Sequence, residues 1–192
     1  MALTQDNRLL SISSPLGKDE MLLTSFEGTE SLSGLFEFQI EVLSKNHSIA
    51  PQDIIARPVT VSINNRLQRS FNGYISEFAY GEVKADNLRC YHLTMVPWLW
   101  FLRKTSNHRI FQNKSSREII SQIFQERGFT DYDYRASGNA AKREYCVQYQ
   151  ESDFDFISRL LEEDGITYYF EQNNDTHKLH IVDAQNAYQL CE

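Results

Sequence analysis

The chain has 192 residues, of which 41% are apolar and 12% aromatic, and it carries a formal net charge of -7. This composition is typical of a globular protein with a substantial core, and it excludes intrinsic disorder. The negative charge argues against a nucleic-acid partner, because affinity for a phosphate backbone depends on a basic surface.

Up to about residue 103 the apolar residues mostly recur with a period of two, which predicts β-strands. Residues 35–44 place Phe36, Phe38, Ile40 and Val42 on one face and polar residues on the other, the pattern of a half-buried strand. Further strands, separated by turn-forming Gly, Asn and Asp, are predicted in residues 21–26, 58–65, 69–80 and 88–98, with a short helical turn around residues 52–56. These strands predict an antiparallel barrel or sandwich.

Residues 113–128 predict the first capped helix of the second half. Ser115 is placed as the N-cap, Glu118 completes a capping box, and Gly128 ends the helix. The residues predicted to form its buried stripe are Ile119, Ile120, Ile123 and Phe124. The change from strands to helices places a boundary near residues 103–110.

A second capped helix is predicted after residue 152. Ser152 is the N-cap, Asp155 lies three residues later, and Gly165 ends the helix. The predicted buried stripe consists of Phe156, Ile157, Leu160 and Leu161. Both helices lead into aromatic segments, FTDYDY and ITYYF, so the second half is predicted to be α+β.

The second helix lies in a stretch rich in carboxylates, residues 148–172. Asp155, Arg159 and Glu163 are four apart, which predicts an acid, base, acid ladder on the polar face. Asp153 joins Asp155 in the first turn, where the helix dipole favours negative charge. A catalytic pair would need two carboxylates facing each other across a cleft, and this spacing does not provide it. We therefore expect a solvated helix face.

Two patterns that contain histidine are candidate sites. His177 and His180 lie three apart in a predicted strand, which points their rings to opposite faces and opposes shared metal ligation. Cys90 and His92 share a face of their strand and could form a nucleophile and its base. In an aromatic-rich strand, such a pair more often consists of one residue in the core and one at its rim. No catalytic, metal or cofactor-binding residue is therefore predicted.

The segment VPWLWFLRK places two tryptophans and a phenylalanine within four residues, Trp98, Trp100 and Phe101. Such a group could form an exposed patch for a partner or a membrane surface. The interpretation favoured from the sequence is that a strand feeds these aromatics into the joint between the two halves.

The cysteines and the N-terminus indicate a reducing compartment. Cys90, Cys146 and Cys191 are odd in number and form no C-x-x-C pair, so they predict neither a disulfide framework nor a zinc knuckle. The first residues lack an apolar core of signal-peptide length, and the longest apolar run, residues 96–102, is too short to span a bilayer. We expect folding in the cytosol and any export by a route that reads no N-terminal signal.

Three blocks of the chain, in this order and at these separations, resemble the N-terminal hub region of VgrG, the spike protein of bacterial type VI secretion systems. The blocks are LLTSFEGTESLSGLFEFQIEVLS, VPWLWFL followed by RIFQNKSSREIISQIF, and EYCVQYQESDFDFISRLLEEDGITYYF. Together they place the resemblance over roughly residues 9–190.

The resemblance implies the fold of the contractile-phage baseplate hub, a β-rich α+β fold. An antiparallel β-barrel hub domain, residues 1–105, would precede a smaller α+β hub domain, residues 106–192. The implied role is structural and non-enzymatic, without a cofactor: a hub that sits on the Hcp tube and carries the spike and its effectors. VgrG proteins continue into a neck and a needle, so the chain is expected to end inside the hub, as a fragment.

The same resemblance implies a homotrimer in the complete protein, with baseplate proteins as further partners and a target membrane that the full spike penetrates. It places the protein in the bacterial cytoplasm before firing, and then outside the cell through the type VI apparatus without a signal peptide. Two alternatives stay open from the residues alone. A hydrolase would need a deep pocket holding carboxylates of perturbed pKa, and an adaptor or effector-binding module would need a groove with exposed aromatics.

Overall fold

The computed structural model describes residues 4–66, 68–136 and 141–183. These residues separate into two units. The first comprises residues 4–30, 35–97 and 172–177, and the second comprises residues 31–34, 98–171 and 178–183. Among the described residues no helix combines the length and the hydropathy needed to cross a membrane.

The first unit is built from six strands. In chain order they are β1 (Leu10–Ser13), β2 (Leu22–Thr29), β3 (Glu37–Ser44), β4 (Pro58–Ile63), β5 (Arg69–Val83) and β6 (Arg89–Val96), with a one-turn helix α1 (Pro51–Ile54) between β3 and β4. All pair antiparallel in the order β1-β4-β5-β6-β3-β2, and the sheet curls into a nearly closed barrel. The predicted antiparallel barrel is confirmed, and so is the short helix before β4.

The side chain of Gln5 joins the two edge strands of this barrel. Its Oε1 accepts hydrogen bonds from the backbone N–H of Ile12 in β1 (2.9 Å) and of Leu23 in β2 (3.2 Å). Its Nε2 donates to the carbonyl of Ile12 (3.1 Å), and the residue is buried. One amide side chain therefore satisfies backbone groups that a sheet edge would otherwise leave without partners.

The alternation predicted for β3 is confirmed. Phe36, Phe38, Ile40 and Val42 are all buried, while Glu37 and Gln39 are exposed. The inner face packs aromatic rings against one another, with Phe38 centred 4.9 Å from Phe26 and 5.3 Å from Phe71. A period of two thus places a hydrophobic face inside the barrel and a polar face outside.

The second unit mixes strands and helices. After a 3-10 helix (Trp98–Lys104) come β7 (Ser106–Lys114), α2 (Ser116–Glu126), β8 (Tyr132–Tyr134), β9 (Arg143–Ser152), α3 (Asp153–Glu163), β10 (Thr167–Asn173) and β11 (Thr176–Val182). The end of β10 and the start of β11 fall in residues 172–177, which belong to the first unit. Strands β7 and β9 form an antiparallel two-stranded ribbon. A separate sheet has the order β10-β11-β8, in which β11 and β8 run parallel. The predicted α+β character of this half is confirmed.

The 3-10 helix corrects one prediction, since the sequence had placed residues 97 and 98 at the end of a strand. Pro97 has no backbone N–H to offer a sheet, so β6 ends at Val96 and the chain turns into the helix. Trp98 is buried inside the second unit, stacked on Phe129 at 4.6 Å. This tryptophan is a core residue of that unit.

Both predicted helix caps are confirmed. Ser115 and Glu118 form a complete capping box at the start of α2, and the Ser152 hydroxyl accepts from the backbone N–H of Asp155 at the start of α3. Gly128 and Gly165 follow the helices at φ +75° and +67°. The predicted apolar stripes of both helices are buried. Local sequence signals therefore set the helix limits.

Replacing Ser152 with alanine is expected to cost about 1 kcal/mol of unfolding free energy, because the N–H of Asp155 loses its acceptor. Replacing Gly165 with valine should cost at least as much, since a β-branched residue is strained at this positive φ. Denaturant melts measure both changes. Midpoints equal to that of the unmodified chain would contradict the capping roles.

Candidate functional site

The carboxylate-rich stretch contains one fully buried acid, Asp153, at the first position of α3. Its oxygens accept hydrogen bonds from Thr105 Oγ1 (2.8 Å), Asn107 Nδ2 (3.2 Å), Gln148 Nε2 (2.8 Å) and Arg127 Nε and Nη2 (3.0 and 2.8 Å), and Arg109 Nη2 lies 3.6 Å away. Arg109 also pairs with Glu126 at 3.3 Å. We call this set of side chains the Asp153 network.

The Asp153 network keeps its carboxylate ionised. Burial raises the pKa of Asp153, but the hydrogen bonds from Gln148, Arg127, Asn107 and Thr105 outweigh burial and hold the pKa below its ordinary value. An acid in this state has no proton to deliver at neutral pH, so it lacks the property that general-acid catalysis needs. The network instead links the C-terminal end of α2, strands β7 and β9, and the start of α3 through hydrogen bonds and ion pairs to one carboxylate.

Three of the remaining acids of this stretch, Glu151, Glu163 and Asp164, pair with arginines. Arg159 binds Glu151 at 2.7 Å and Glu163 at 3.2 Å, so its first partner is Glu151 rather than the predicted Asp155. Arg143 reaches from β9 to Glu163 (2.6 Å) and Asp164 (2.8 Å). This contact places a cation at the C-terminal end of α3, where acidic residues alone oppose the helix dipole.

Cys90 and His92 do share a face of β6, and the opposite strand brings a carboxylate to them. Cys90 Sγ lies 3.7 Å from His92 Nε2, and His92 Nδ1 lies 4.0 Å from Glu41 Oε2. Burial raises the pKa of the Cys90 thiol, and Glu41 raises it further. A buried, protonated thiol is a poor nucleophile, so the Cys/His hydrolase alternative has no activated cysteine here.

His177 and His180 have different partners. His177 is buried with Nδ1 2.9 Å from the Asn72 side-chain oxygen, and burial lowers its pKa to about 4, so the ring is neutral at physiological pH. His180 is also buried, and its Nε2 lies 2.6 Å from Glu171. Each ring is occupied by a separate hydrogen bond.

The outward side of the β7–β9 ribbon carries exposed apolar side chains, which we call the ribbon face. Ile110 is 62% exposed, Tyr145 57% and Tyr149 66%. The inward side holds the buried pair Phe111 and Cys146. Among the residues the structure describes, no other pair of adjacent strands presents three exposed large hydrophobic side chains. Such clustering is typical of a surface that contacts another protein.

Comparison with known proteins agrees with this architecture. The family model "Phage tail baseplate hub (GPD)" matches residues 29–192. The chain belongs to this hub family. Among solved structures, the hub chain is similar to the E. coli c3393 protein, with a TM-score of 0.87 and 25% identity, over 94% of this chain and 51% of that one. That protein is described as a component of the type VI secretion system with structural similarity to the T4 bacteriophage tail proteins gp27 and gp5.

Two curated relatives of the hub chain are spike proteins. It is 37% identical to the type VI secretion system spike protein VgrG1b of Pseudomonas aeruginosa, over 98% of this chain and 26% of that protein. It is 36% identical to VgrG1c of the same organism, with the same coverage. The chain therefore spans about a quarter of the length of these relatives. The resemblance predicted from the three sequence blocks is confirmed.

Three features of the hub chain had not been predicted. The burial of Asp153 was missed because a carboxylate in a first helical turn is ordinarily solvated, and its partners are spread from residue 105 to residue 148. Glu41 was not connected with Cys90 and His92 because strand register brings them together. The ribbon face was missed as well, although the alternation along β9 of Tyr145 and Tyr149 with Cys146 and Gln148 could have predicted it.

Proposed function

We propose that the chain forms the hub part of a type VI puncturing device, sits on the Hcp tube, and carries the spike and its effectors. The observation that supports this most strongly is its similarity, over nearly all of its length, to VgrG spike proteins. A mechanical role fits a buried, fully ionised carboxylate that fastens strands and helices, because rigidity is what such a part requires.

The proposal includes the organisation inferred from the sequence. The barrel, residues 1–105, and the α+β part, residues 106–192, act as two hub domains of a homotrimer in the complete protein, together with baseplate proteins. The protein resides in the bacterial cytoplasm before firing and then leaves through the type VI apparatus, with the full spike crossing the target membrane. No enzymatic step is part of this role.

A chimera tests the proposal. Residues 1–192 replace the matching segment of P. aeruginosa VgrG1b in a strain that lacks its own copy, and Hcp released into the medium is measured. We expect the chimera to restore release, and the same chimera carrying Asp153→Ala to fail because its second unit is destabilised. A chimera that accumulates at normal levels but releases no Hcp would contradict the proposed role.

The ribbon face is proposed to contact a second copy of the hub. A trimer requires each subunit to present complementary surface to its neighbour, and Ile110, Tyr145 and Tyr149 are the exposed apolar group on one element. The area on a two-stranded ribbon is small, and association must overcome several kcal/mol of lost freedom. We therefore expect the isolated chain to be mostly monomeric, with weak self-association.

Multi-angle light scattering checks this expectation at about 1 µM, the scale at which about 8 kcal/mol of binding energy half-saturates a pair. A single sharp species of three chains at that concentration would be the contrary result. At higher concentrations, Ile110→Lys should reduce association. Gln112→Lys is the matched control, because it adds the same charge to the same exposed side of β7 without removing an apolar contact.

A further inference from the structure

Three side chains of different chemistry converge on the polar face of the barrel. Cys90 and His92 lie two residues apart on β6, and Glu41 of β3 pairs directly opposite His92. One donor atom from each, a sulfur, an imidazole nitrogen and a carboxylate oxygen, falls within 4.8 Å of the others. In the described part of the chain, this is the one group of three such donors at that spacing.

The spacing of these atoms matches what one small cation requires. Zinc binds sulfur at about 2.3 Å and nitrogen at about 2.0 to 2.1 Å, so tetrahedral geometry separates the two ligand atoms by about 3.6 Å. Cys90 Sγ and His92 Nε2 are 3.7 Å apart. Glu41 Oε2 lies nearest the other ring nitrogen, 4.0 Å from His92 Nδ1, so the Glu41 side chain must rotate to supply the third ligand. Both atoms of the Cys/His pair are already in place.

The surroundings of the three ligand atoms favour the binding of a cation. Thr24 Oγ1 lies 3.0 Å from the Glu41 backbone carbonyl and 3.1 Å from Glu41 Oε1, so its one proton is shared between two acceptors of this residue, and Glu41 Oε2 is turned toward His92. Gly81 leaves space beside the ring, since a Cβ there would lie 3.1 Å from His92 Nε2. Lys84, whose charge acts on the Cys90 thiol, is paired with Glu82 at 2.7 Å.

We propose that Glu41, Cys90 and His92 bind a divalent transition metal of the zinc type, with water in the open fourth position. Binding exchanges the Cys90 thiol proton, which passes to solvent, for a bond from the thiolate to the metal. A thiolate and an imidazole select zinc-like ions over magnesium or calcium. The metal would join β3 to β6 through side chains. This departs from the absence of metal ligands expected from the sequence, where Glu41 had not been connected with the pair.

Cobalt(II) is the probe, because it replaces zinc and reports its ligands by absorption. The full chain, reduced and carrying Cys191→Ser to remove the cysteine outside the described residues, is titrated with Co²⁺. We expect a thiolate-to-cobalt charge-transfer band and the visible bands of a tetrahedral site, saturating at one cobalt per chain. Added Zn²⁺ should abolish both sets of bands and raise the melting temperature.

Variants assign the bands to the three residues. His92→Gln changes an exposed side chain and should remove tetrahedral binding without unfolding the barrel, and Cys90→Ser should remove the charge-transfer band. Thr24→Val should weaken affinity by about tenfold or more, as loss of an outer-shell partner does. Cys146→Ser is the matched control, another buried cysteine in the second unit, and should leave the titration unchanged.

Two results would overturn the proposal. One is the absence of a charge-transfer band with Co²⁺ in large excess over the chain. The other is a band that persists in both His92→Gln and Cys90→Ser, or that disappears in Cys146→Ser, because the metal would then be bound elsewhere. Neither result bears on the hub role, which the chimera tests separately.

Discussion

Replacing Asp153 with alanine is expected to cost the second unit about 3 to 5 kcal/mol of unfolding free energy, the range for breaking a buried ion pair by removing one partner. The variant leaves Arg127 without its buried partner, and it removes the acceptor that Thr105, Asn107 and Gln148 share. Guanidinium or urea melts of the purified chain, followed by circular dichroism, measure the loss.

Asp155→Ala is the matched control for this variant. It removes the same group from the same helical turn, but Asp155 is exposed and its carboxylate bonds only the Ser152 hydroxyl among the contacts described. We expect a much smaller loss of stability, because water replaces the contact. Equal losses from the two substitutions would show that the Asp153 network contributes no more than an ordinary surface carboxylate.

The same network predicts how stability changes in acid. The pKa of Asp153 is lower in the folded chain than its ordinary value, so the unfolded chain takes up the proton first as the pH falls. The contribution of Asp153 to the free energy of unfolding is therefore fully present above the ordinary carboxyl range, near pH 4. It is lost as the pH falls through the pKa of Asp153 in the folded chain. Asp153→Asn removes the titrating group, and its stability should fall less steeply with acid than that of the unmodified chain.

Replacing Trp98 with alanine is expected to cost about 3 to 5 kcal/mol, the range for large-to-small changes at buried aromatic positions. Trp98 is buried, packs edge-on against Phe124 at 5.2 Å, and stacks on Phe129 at 4.6 Å. Its loss opens a cavity beside α2 that these rings cannot fill. Denaturant melts give the free energy, and exposure of the cavity wall should increase binding of a hydrophobic dye.

Trp100→Ala separates this effect from the loss of any tryptophan. Trp100 lies two residues further along the same 3-10 helix, is only partly buried, and contacts Phe101 and the Lys104 ammonium. We expect a clearly smaller loss than at Trp98. If Trp100→Ala were the more damaging change, the assignment of Trp98 to the core of the second unit would be wrong.

The sequence predicted what depends on neighbours along the chain. The period of two in β3 and the caps at Ser115 and Ser152 are local patterns, and their physical causes, alternate burial and satisfied N–H groups, act within a few residues. The 3-10 helix was readable from Pro97 in principle, but an apolar run of this length does not distinguish a strand end from a helical turn.

The sequence did not predict what depends on register and on distant partners. Glu41 faces His92 only because β3 and β6 pair at one particular offset, and a shift of one residue would turn Glu41 away. Asp153 is buried because residues from four elements converge on it, and no spacing along the chain encodes that convergence. The pairing of β7 with β9 was not predicted for the same reason, because α2 and β8 separate the two strands along the chain.

The hydrogen bonding between neighbouring strands is not the same all around the barrel, and the difference lies at the Gln5 side chain. Everywhere else along the sheet, neighbouring strands are held by a backbone ladder, whereas β1 and β2 are bridged by the three hydrogen bonds of one amide. Rotation of that single side chain releases the amide protons of Ile12 and Leu23 to exchange with solvent, while the β3–β6 ladder stays intact. We therefore expect local opening of the barrel to start between β1 and β2, at a smaller free energy than global unfolding.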